Sequence, residues 1–171
     1  MKTLTPKFLT KEIAEKAVAT ALRLMQDSPL KELVSRQACH IVVLVPEMDD
    51  GRPDFKQWPD YSIRAHVLFE FSVGDRKTWP GPFDGIARSK ALQLWQERND
   101  DRTDCEPHLL FPGDTQYWGG VKRHGIVVAC SGVQAWFDKM LSGIVAELCL
   151  GLAYDAFMTS PDKKSDAAFL K

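Results

Sequence analysis

The sequence lacks the features that would assign it to several large classes of protein. Its 171 residues carry 22 Lys and Arg against 23 Asp and Glu, so no excess of positive charge is available to attract a nucleic acid. Residues 1–16 mix Lys with Glu and have no apolar core of the kind found in secretory signals. These absences predict a cytoplasmic protein that does not bind nucleic acid.

Cysteine is scarce, and its spacing excludes the common zinc and redox motifs. No two cysteines form a C-x-x-C pair. Three of the four lie in apolar runs, where a free thiol behaves as a small hydrophobic side chain. We therefore expect reduced thiols rather than a disulfide framework for Cys39, Cys105, Cys130 and Cys149.

Catalytic signatures are also missing. The stretch IVVACSG ends in Ser131-Gly132, but a nucleophile elbow, G-x-S-x-G, would need glycine where the chain has Ala129 and Val133. Ser131 is instead predicted to be the N-cap of the following helix. A second possibility is that the amides of Ser131 and Gly132 hold a carboxylate or phosphate of a ligand. Because no paired acid and base are visible, the sequence predicts no catalytic residue.

Hydrophobic periodicity predicts an alternation of helices and strands. The order helix, strand, strand, helix, strand, strand, helix is typical of an α+β fold with a mainly antiparallel sheet. The predicted elements are a helix from Thr10 to Asp27, a short helix after Pro29, strands at 38–45 and 62–73, a helix at 86–95, strands at 115–118 and 124–131 joined at Gly119-Gly120, and a long helix after Gly132.

The predicted boundaries describe one domain, 1–171, with a core of about 10–158 and a loose tail at 159–171. Pro46 is expected to end the first strand. The segment 47–61 that follows is rich in turn residues and longer than most hairpin loops. We expect it to act as a lid or an interface.

The last helix is apolar enough to resemble a membrane span, but it contains Asp138, Lys139, Glu147 and Asp155. Charges at such positions are costly in lipid, so the sequence predicts no membrane partner. The apolar stripe is also wider than one face of a sheet requires. We therefore expect a homo-oligomer, a dimer or larger, in which another copy covers part of this stripe.

Three features of the chain are similar to the GlcG/HbpS-like family, which includes the C-terminal domain of PduO-type corrinoid adenosyltransferases. They are the N-terminal amphipathic helix leading into an apolar strand, Ala87-x-x-Lys90-Ala91, and IVVACSG followed by Asp138, over roughly residues 10–153. The resemblance implies a profilin-like sandwich, a sheet flanked by N-terminal, middle and C-terminal helices. It also implies homo-oligomers and binding of haem or a related tetrapyrrole.

Five residues are the predicted ligand-binding set. His124 lies near Trp118 and two glycines, a mixture able to ligate iron and stack on a flat ring, although a solvated turn histidine is the alternative. Lys90 either extends its ammonium group to water or binds an anionic ligand. Apart from His124 as a candidate axial ligand, no metal site is predicted. The set is Lys90, Trp118, His124, Ser131 and Gly132.

Three functions are consistent with these features. The first is a non-catalytic protein that binds a small molecule, with haem or a similar planar ligand as the expectation from the family. The second is a structural or interaction module whose pocket is filled by Trp136 and Phe137. The third is an enzyme acting on a small organic acid or a tetrapyrrole.

Overall fold

The computed structural model describes residues 3–27, 29–49, 63–99, 105–165 and 170. The helices are α1 (Lys11–Gln26), α2 (Leu30–Leu33), α3 (Phe83–Trp95), α4 (Ala135–Thr159) and α5 (Pro161–Lys164). The strands are β1 (Thr3–Leu4), β2 (Cys39–Asp49), β3 (Arg64–Val73), β4 (Gly120–Arg123) and β5 (Ile126–Ser131).

The five strands form one antiparallel sheet in which β2 is central. β2 pairs with β3 along one edge and with β5 along the other, and β4 pairs with β5. β1 lies beside the far end of β2, with Leu4 opposite Met48. β2 and β5 are nearly continuous apolar runs because both of their faces are covered.

Helices cover the two faces of the sheet unequally. α1 and α4 pack against the face that contains Ile41, Val43 and Val128, and this is the larger core. α3 packs against the opposite face, over Val42 and Leu44. The structure confirms the predicted α+β class, with a mainly antiparallel sheet flanked by N-terminal, middle and C-terminal helices.

One prediction about the first hairpin is wrong. Pro46 does not end β2, which continues to Asp49. The pairing of β2 with β5 stops at Leu44, so no residue of β5 lies opposite Pro46. The absence of an N–H group at Pro46 therefore costs no hydrogen bond to β5. The segment from 50 to 61 lies outside the described residues, so its role as a lid or interface stays a prediction.

The apolar side chains of β3 lie on both faces of the sheet. The register between β2 and β3 shifts once, between Val43 and Leu44. Such a bulge reverses the side-chain alternation beyond it. As a result, Phe69 packs toward the core under α1 and α4, whereas Ala65 packs toward α3.

The predicted strand at 115–118 and the predicted turn at Gly119-Gly120 are also wrong. The hairpin turns at His124 and Gly125, whose φ angles of 45° and 87° suit a two-residue turn. Gly120 is instead the first residue of β4, where a Cβ atom would lie 2.6 Å from Leu94 Cδ1. Glycine is needed at position 120 because Leu94 packs closely against it, and not because the chain turns there.

The predicted loose tail begins with a short helix. In α5 the Ser160 hydroxyl accepts a hydrogen bond from the Lys163 amide at 3.2 Å, a standard N-cap. Asp162 in the same helix forms an ion pair with Lys7. Residues 166–169 and 171 lie outside the described part of the chain.

α4 has a large apolar surface that the rest of the chain does not cover. Within the described residues it is the one helix long and apolar enough, by length and composition, to cross a membrane. Only 28% of its most apolar 18-residue window is buried. An open apolar groove follows the helix and is lined by Met140, Gly143, Ile144, Glu147, Leu148, Gly151 and Leu152.

Candidate functional site

A cavity of about 620 Å³ opens where the end of β5 meets α3 and the start of α4. Its volume falls within the range of about 300–1,000 Å³ that is usual for small-molecule sites. It combines a buried polar floor with an apolar wall. The residues that line it are Arg36, Pro80, Gly81, Pro82, Phe83, Ile86, Lys90, Tyr117, Trp118, Ser131, Gly132, Val133, Gln134, Ala135 and Asp138.

The floor of the cavity holds a buried ion pair. Lys90, which is only 1% exposed, donates from Nζ to the Cys130 carbonyl at 2.9 Å and to Asp138 Oδ2 at 3.2 Å. An ammonium group has three N–H donors. These two contacts leave one donor of Lys90 for a ligand in the cavity.

Asp138 holds Lys90 in place rather than facing a ligand itself. Its second oxygen, Oδ1, accepts the Val133 amide at 3.1 Å, so both carboxylate oxygens are engaged. Burial raises the pKa of the Asp138 carboxyl, while the charge of Lys90 and the Val133 hydrogen bond act in the opposite direction. The carboxylate therefore depends on Lys90 to remain charged in this position.

The sequence predicted that Ser131 caps the following helix, and this prediction is wrong. Ser131 is the last residue of β5, and α4 begins four residues later, after Gln134. Ser131 is 5% exposed and lines the cavity. Because its side chain lines the cavity, its hydroxyl is a second group that can donate to or accept from a ligand.

Gly132 is required by the shape of the backbone at this point. Its φ is +131°, a conformation that other residues avoid, and a Cβ atom there would lie 2.5 Å from the Ala38 carbonyl and 2.8 Å from Phe83 Cδ2. The Gly132 carbonyl accepts a hydrogen bond from Arg36 Nη1 at 3.1 Å. This glycine therefore brings β5, Phe83 and Arg36 together at one side of the cavity.

Replacing Gly132 with Ala is expected to lower the free energy of unfolding by about 2–3 kcal/mol, because backbone strain and overpacking add together. The matched control is Gly113→Ala, which has φ +95° but no atom within 4 Å of the added methyl group. There we expect only the strain, about 1 kcal/mol. Urea denaturation measures both variants, and equal losses would show that space around Gly132 is not limiting.

The rim of the cavity is cationic and aromatic. The Arg36 guanidinium lies 5.9 Å from the centre of the Phe83 ring. Trp118 is half-buried and Tyr117 is 56% exposed. Flat side chains around a cavity favour a ligand with a flat apolar body.

His124 lies apart from this cavity. It is exposed in the turn at the far end of the β4–β5 hairpin, whereas Ser131 ends the opposite extremity of β5. The structure thus brings four of the five predicted residues together, namely Lys90, Trp118, Ser131 and Gly132, and leaves His124 out.

The residues around the cavity do not fit a haem ligated through histidine. Its described lining has no His, Cys or Met, and Tyr117 is the single side chain there of a type that ligates haem iron. Among the described residues, no group of three or more His, Cys, Asp or Glu side chains could hold a metal ion. The donors at the floor of the cavity instead suit an anion.

Sequence reasoning missed Arg36 and Phe83, and it did not predict the pairing of Asp138 with Lys90. Lys90 and Asp138 are 48 positions apart, and their pairing depends on how α3 and α4 pack. One signal was available, since each places a charge on the buried side of a helix. Two such residues of opposite sign favour a buried ion pair.

A second polar cluster lies beside the cavity on the same face of the sheet. His40, 2% exposed, has Nδ1 2.9 Å from Ser72 Oγ and Nε2 3.6 Å from Glu70 Oε2, and Glu70 in turn is held by Arg88. Burial lowers the pKa of His40, and Glu70 opposes this effect. Ser, His and Glu resemble a nucleophilic triad, but neither His40 nor Ser72 lines the cavity. We assign this cluster to the packing of β2 against β3.

The buried cysteines are unsuited to nucleophilic chemistry. Burial raises the pKa of the Cys149 thiol to about 12 and raises that of Cys130 well above its ordinary value. All four cysteines are free thiols, as the sequence predicted.

Comparison with protein-family models, with curated proteins and with solved structures found no match for this chain.

Proposed function

We propose that this chain is a non-catalytic small-molecule-binding protein whose cavity receives an organic anion. The observation that carries the proposal is the Lys90 ammonium group, buried at the cavity floor with one N–H donor unused. An anionic group of a ligand would accept this donor and the hydroxyl of Ser131. Charge-assisted hydrogen bonds of this kind are among the stronger ones in proteins.

The energetics of buried ion pairs support a binding role. Removing an ammonium and a carboxylate from water costs several kcal/mol per ion, and an apolar pair of similar size is often equally stable or more stable. If Lys90 and Asp138 served only the fold, apolar side chains would serve as well. A ligand that needs a positive charge at the cavity floor explains why an ion pair, and not an apolar pair, occupies this position.

Two other functions receive less support. The interaction module required Trp136 and Phe137 to fill the pocket, but Trp136 is 60% exposed and neither residue lines the cavity. An enzyme would need an acid or base free to move a proton. Asp138 has both oxygens engaged, and no described histidine lines the cavity.

The family resemblance and its haem ligand remain predictions. A titration with hemin tests them, since a sharp saturable Soret band would indicate ligated haem. The lining residues favour an organic anion over iron, and the proposal stands on those residues alone.

The test is a two-dimensional amide NMR titration of the whole chain with acetate, benzoate and inorganic phosphate. We expect saturable shifts at Gly132, Val133 and Gln134, which surround the cavity floor. Arg36→Glu, which reverses a charge at the rim, should weaken binding by about tenfold or more. Shifts confined to other surfaces, or no saturable shift with any probe, would contradict the proposed function.

We also propose that the protein acts as a homo-oligomer through α4. The groove of α4 follows a row of residues spaced by four, in which Gly143 and Gly151 flank Glu147. A Cβ atom at either glycine would meet no atom within 4 Å, so the backbone is open to close approach by another helix.

The charges of α4 support a second copy as the partner. Lys139 and Asp155 lie eight positions before and after Glu147. In an antiparallel pair of α4 helices centred on Glu147, Lys139 of each copy would face Asp155 of the other. Glu147 itself lies 4.0 Å from Arg123, which reduces repulsion at the centre. This pattern is self-complementary, as a two-fold interface requires.

A further inference from the structure

The charge and shape of the cavity narrow the class of ligand. We infer that the ligand is a monocarboxylate with a flat aromatic body, and this inference rests on the proposed function. The alternatives are a small hydrophilic acid, a dianion such as a dicarboxylate or phosphate, and a cation.

The lining of the cavity carries a net positive charge. The described residues supply two cations, Arg36 and Lys90, and one anion, Asp138. Asp138 neutralises Lys90, so one positive charge remains, that of Arg36. A ligand with a single negative charge leaves the cavity neutral, whereas a dianion would bury an unpaired negative charge at a cost.

The two cations of the lining are bonded to carbonyls that lie close to one another in the chain, on either side of Ser131. Lys90 is fixed to the carbonyl of Cys130 and Arg36 to that of Gly132, so both cations are anchored on the residues next to Ser131. Ser131 lies between these two residues in the chain, and its side chain lines the cavity. One carboxylate has two acceptor oxygens, which matches donors grouped around a single residue.

Apolar side chains form one wall of the cavity. Phe83, 6% exposed, packs against Trp79 with ring centres 5.3 Å apart, so its position is fixed. Two prolines and Ile86 continue this wall, and Trp118 lies at the rim. Apolar contact contributes about 25 cal/mol per Å² of buried area, so an aromatic body adds affinity that acetate lacks.

Isothermal titration calorimetry of the whole protein with four probes tests the inference. The probes are naphthoate, acetate, naphthalenedicarboxylate and naphthylmethylamine. We expect naphthoate to bind at least about tenfold more tightly than acetate and than the dicarboxylate, and the amine not to bind. Ser131→Ala should weaken naphthoate about fivefold and Arg36→Gln about tenfold, because each loses a hydrogen bond to the carboxylate.

Arg23→Gln is the matched control, since it removes an exposed arginine of α1 that does not line the cavity. It should leave naphthoate affinity unchanged. Equal or tighter binding of acetate or the dicarboxylate would overturn the ligand class while leaving an anion-binding function in place. Binding of the amine, or of naphthoate unaffected by Ser131→Ala and Arg36→Gln, would also overturn the ligand class. Failure of all anions, here and in the NMR titration, would overturn the proposed function itself.

Discussion

Replacing Lys90 with Met is expected to lower the free energy of unfolding by about 3–5 kcal/mol, because it leaves the Asp138 carboxylate buried without a counter-charge. Asp138 is 4% exposed, so water cannot replace the lost ammonium group. Urea denaturation at neutral pH measures the effect. Lys16→Met, at an exposed position of α1, is the matched control and should change stability by less than about 0.5 kcal/mol.

The double variant Lys90→Met with Asp138→Leu separates lost charge from lost packing. With both charges removed, most of the stability should return, since an apolar pair can replace a buried ion pair at little cost. If the double variant is as unstable as Lys90→Met alone, packing around the lysine stem rather than charge explains the loss.

The pH dependence of Lys90→Met gives an independent check. Burial raises the pKa of Asp138, and removing Lys90 removes a charge that opposes this shift. A carboxyl whose folded pKa lies above its unfolded value of about 3.9 destabilises the fold as pH rises through the folded pKa. The deficit of Lys90→Met relative to the natural protein should therefore be full at neutral pH and should shrink as pH falls toward 4. A deficit independent of pH would contradict the charge argument.

The sequence predicted the class of fold because hydrophobic runs and periodicity report local burial. β5 is apolar on both faces and is covered on both faces, and α1 begins where Thr10 caps it. Prediction from the sequence failed where pairing between distant strands decides the bounds and faces of a strand. The register shift between β2 and β3 at Val43 and Leu44 is a property of that pairing, and β2 continues past Pro46 although its pairing with β5 stops at Leu44, near the start of β5; no local pattern records either feature.

The candidate site was predicted only in part, because its residues are brought together by contacts between parts of the chain that are distant in sequence. Ser131 and Gly132 are adjacent in the chain, and the resemblance had pointed to Lys90. His124 was included because it lies near Trp118 and two glycines in the sequence, with the turn expected at Gly119-Gly120. With the turn at His124 itself, the residue lies at the far end of the hairpin. A shift of the turn by five residues thus changes which side chains can share a cavity.

Adding side chains at Gly143 and Gly151 is expected to convert an oligomer into a monomer without weakening the fold. In Gly143→Gln with Gly151→Gln, both glutamines extend into the groove of α4, where each added Cβ atom has open space within one chain. Glutamine favours helix over glycine by about 0.5–1 kcal/mol, so each monomer should be as stable as before or more so. Two α4 helices could then no longer approach closely, and association should weaken by at least about 100-fold, or about 2.8 kcal/mol. Light scattering at micromolar concentration measures the mass.

Gly85→Gln is the control for this pair, because Gly85 is exposed on α3 and an added Cβ atom there makes only an ordinary contact, 3.9 Å from Pro82 Cβ. It should leave the oligomer intact. The natural protein should have at least twice the mass of one chain, and a monomer would contradict the proposed interface. Monomers that bind vesicles of neutral phospholipid would indicate that lipid rather than a second copy covers α4. We expect no such binding, because a bilayer would have to accept Lys139, Glu147 and Asp155, whereas an antiparallel partner supplies each outer charge with its opposite.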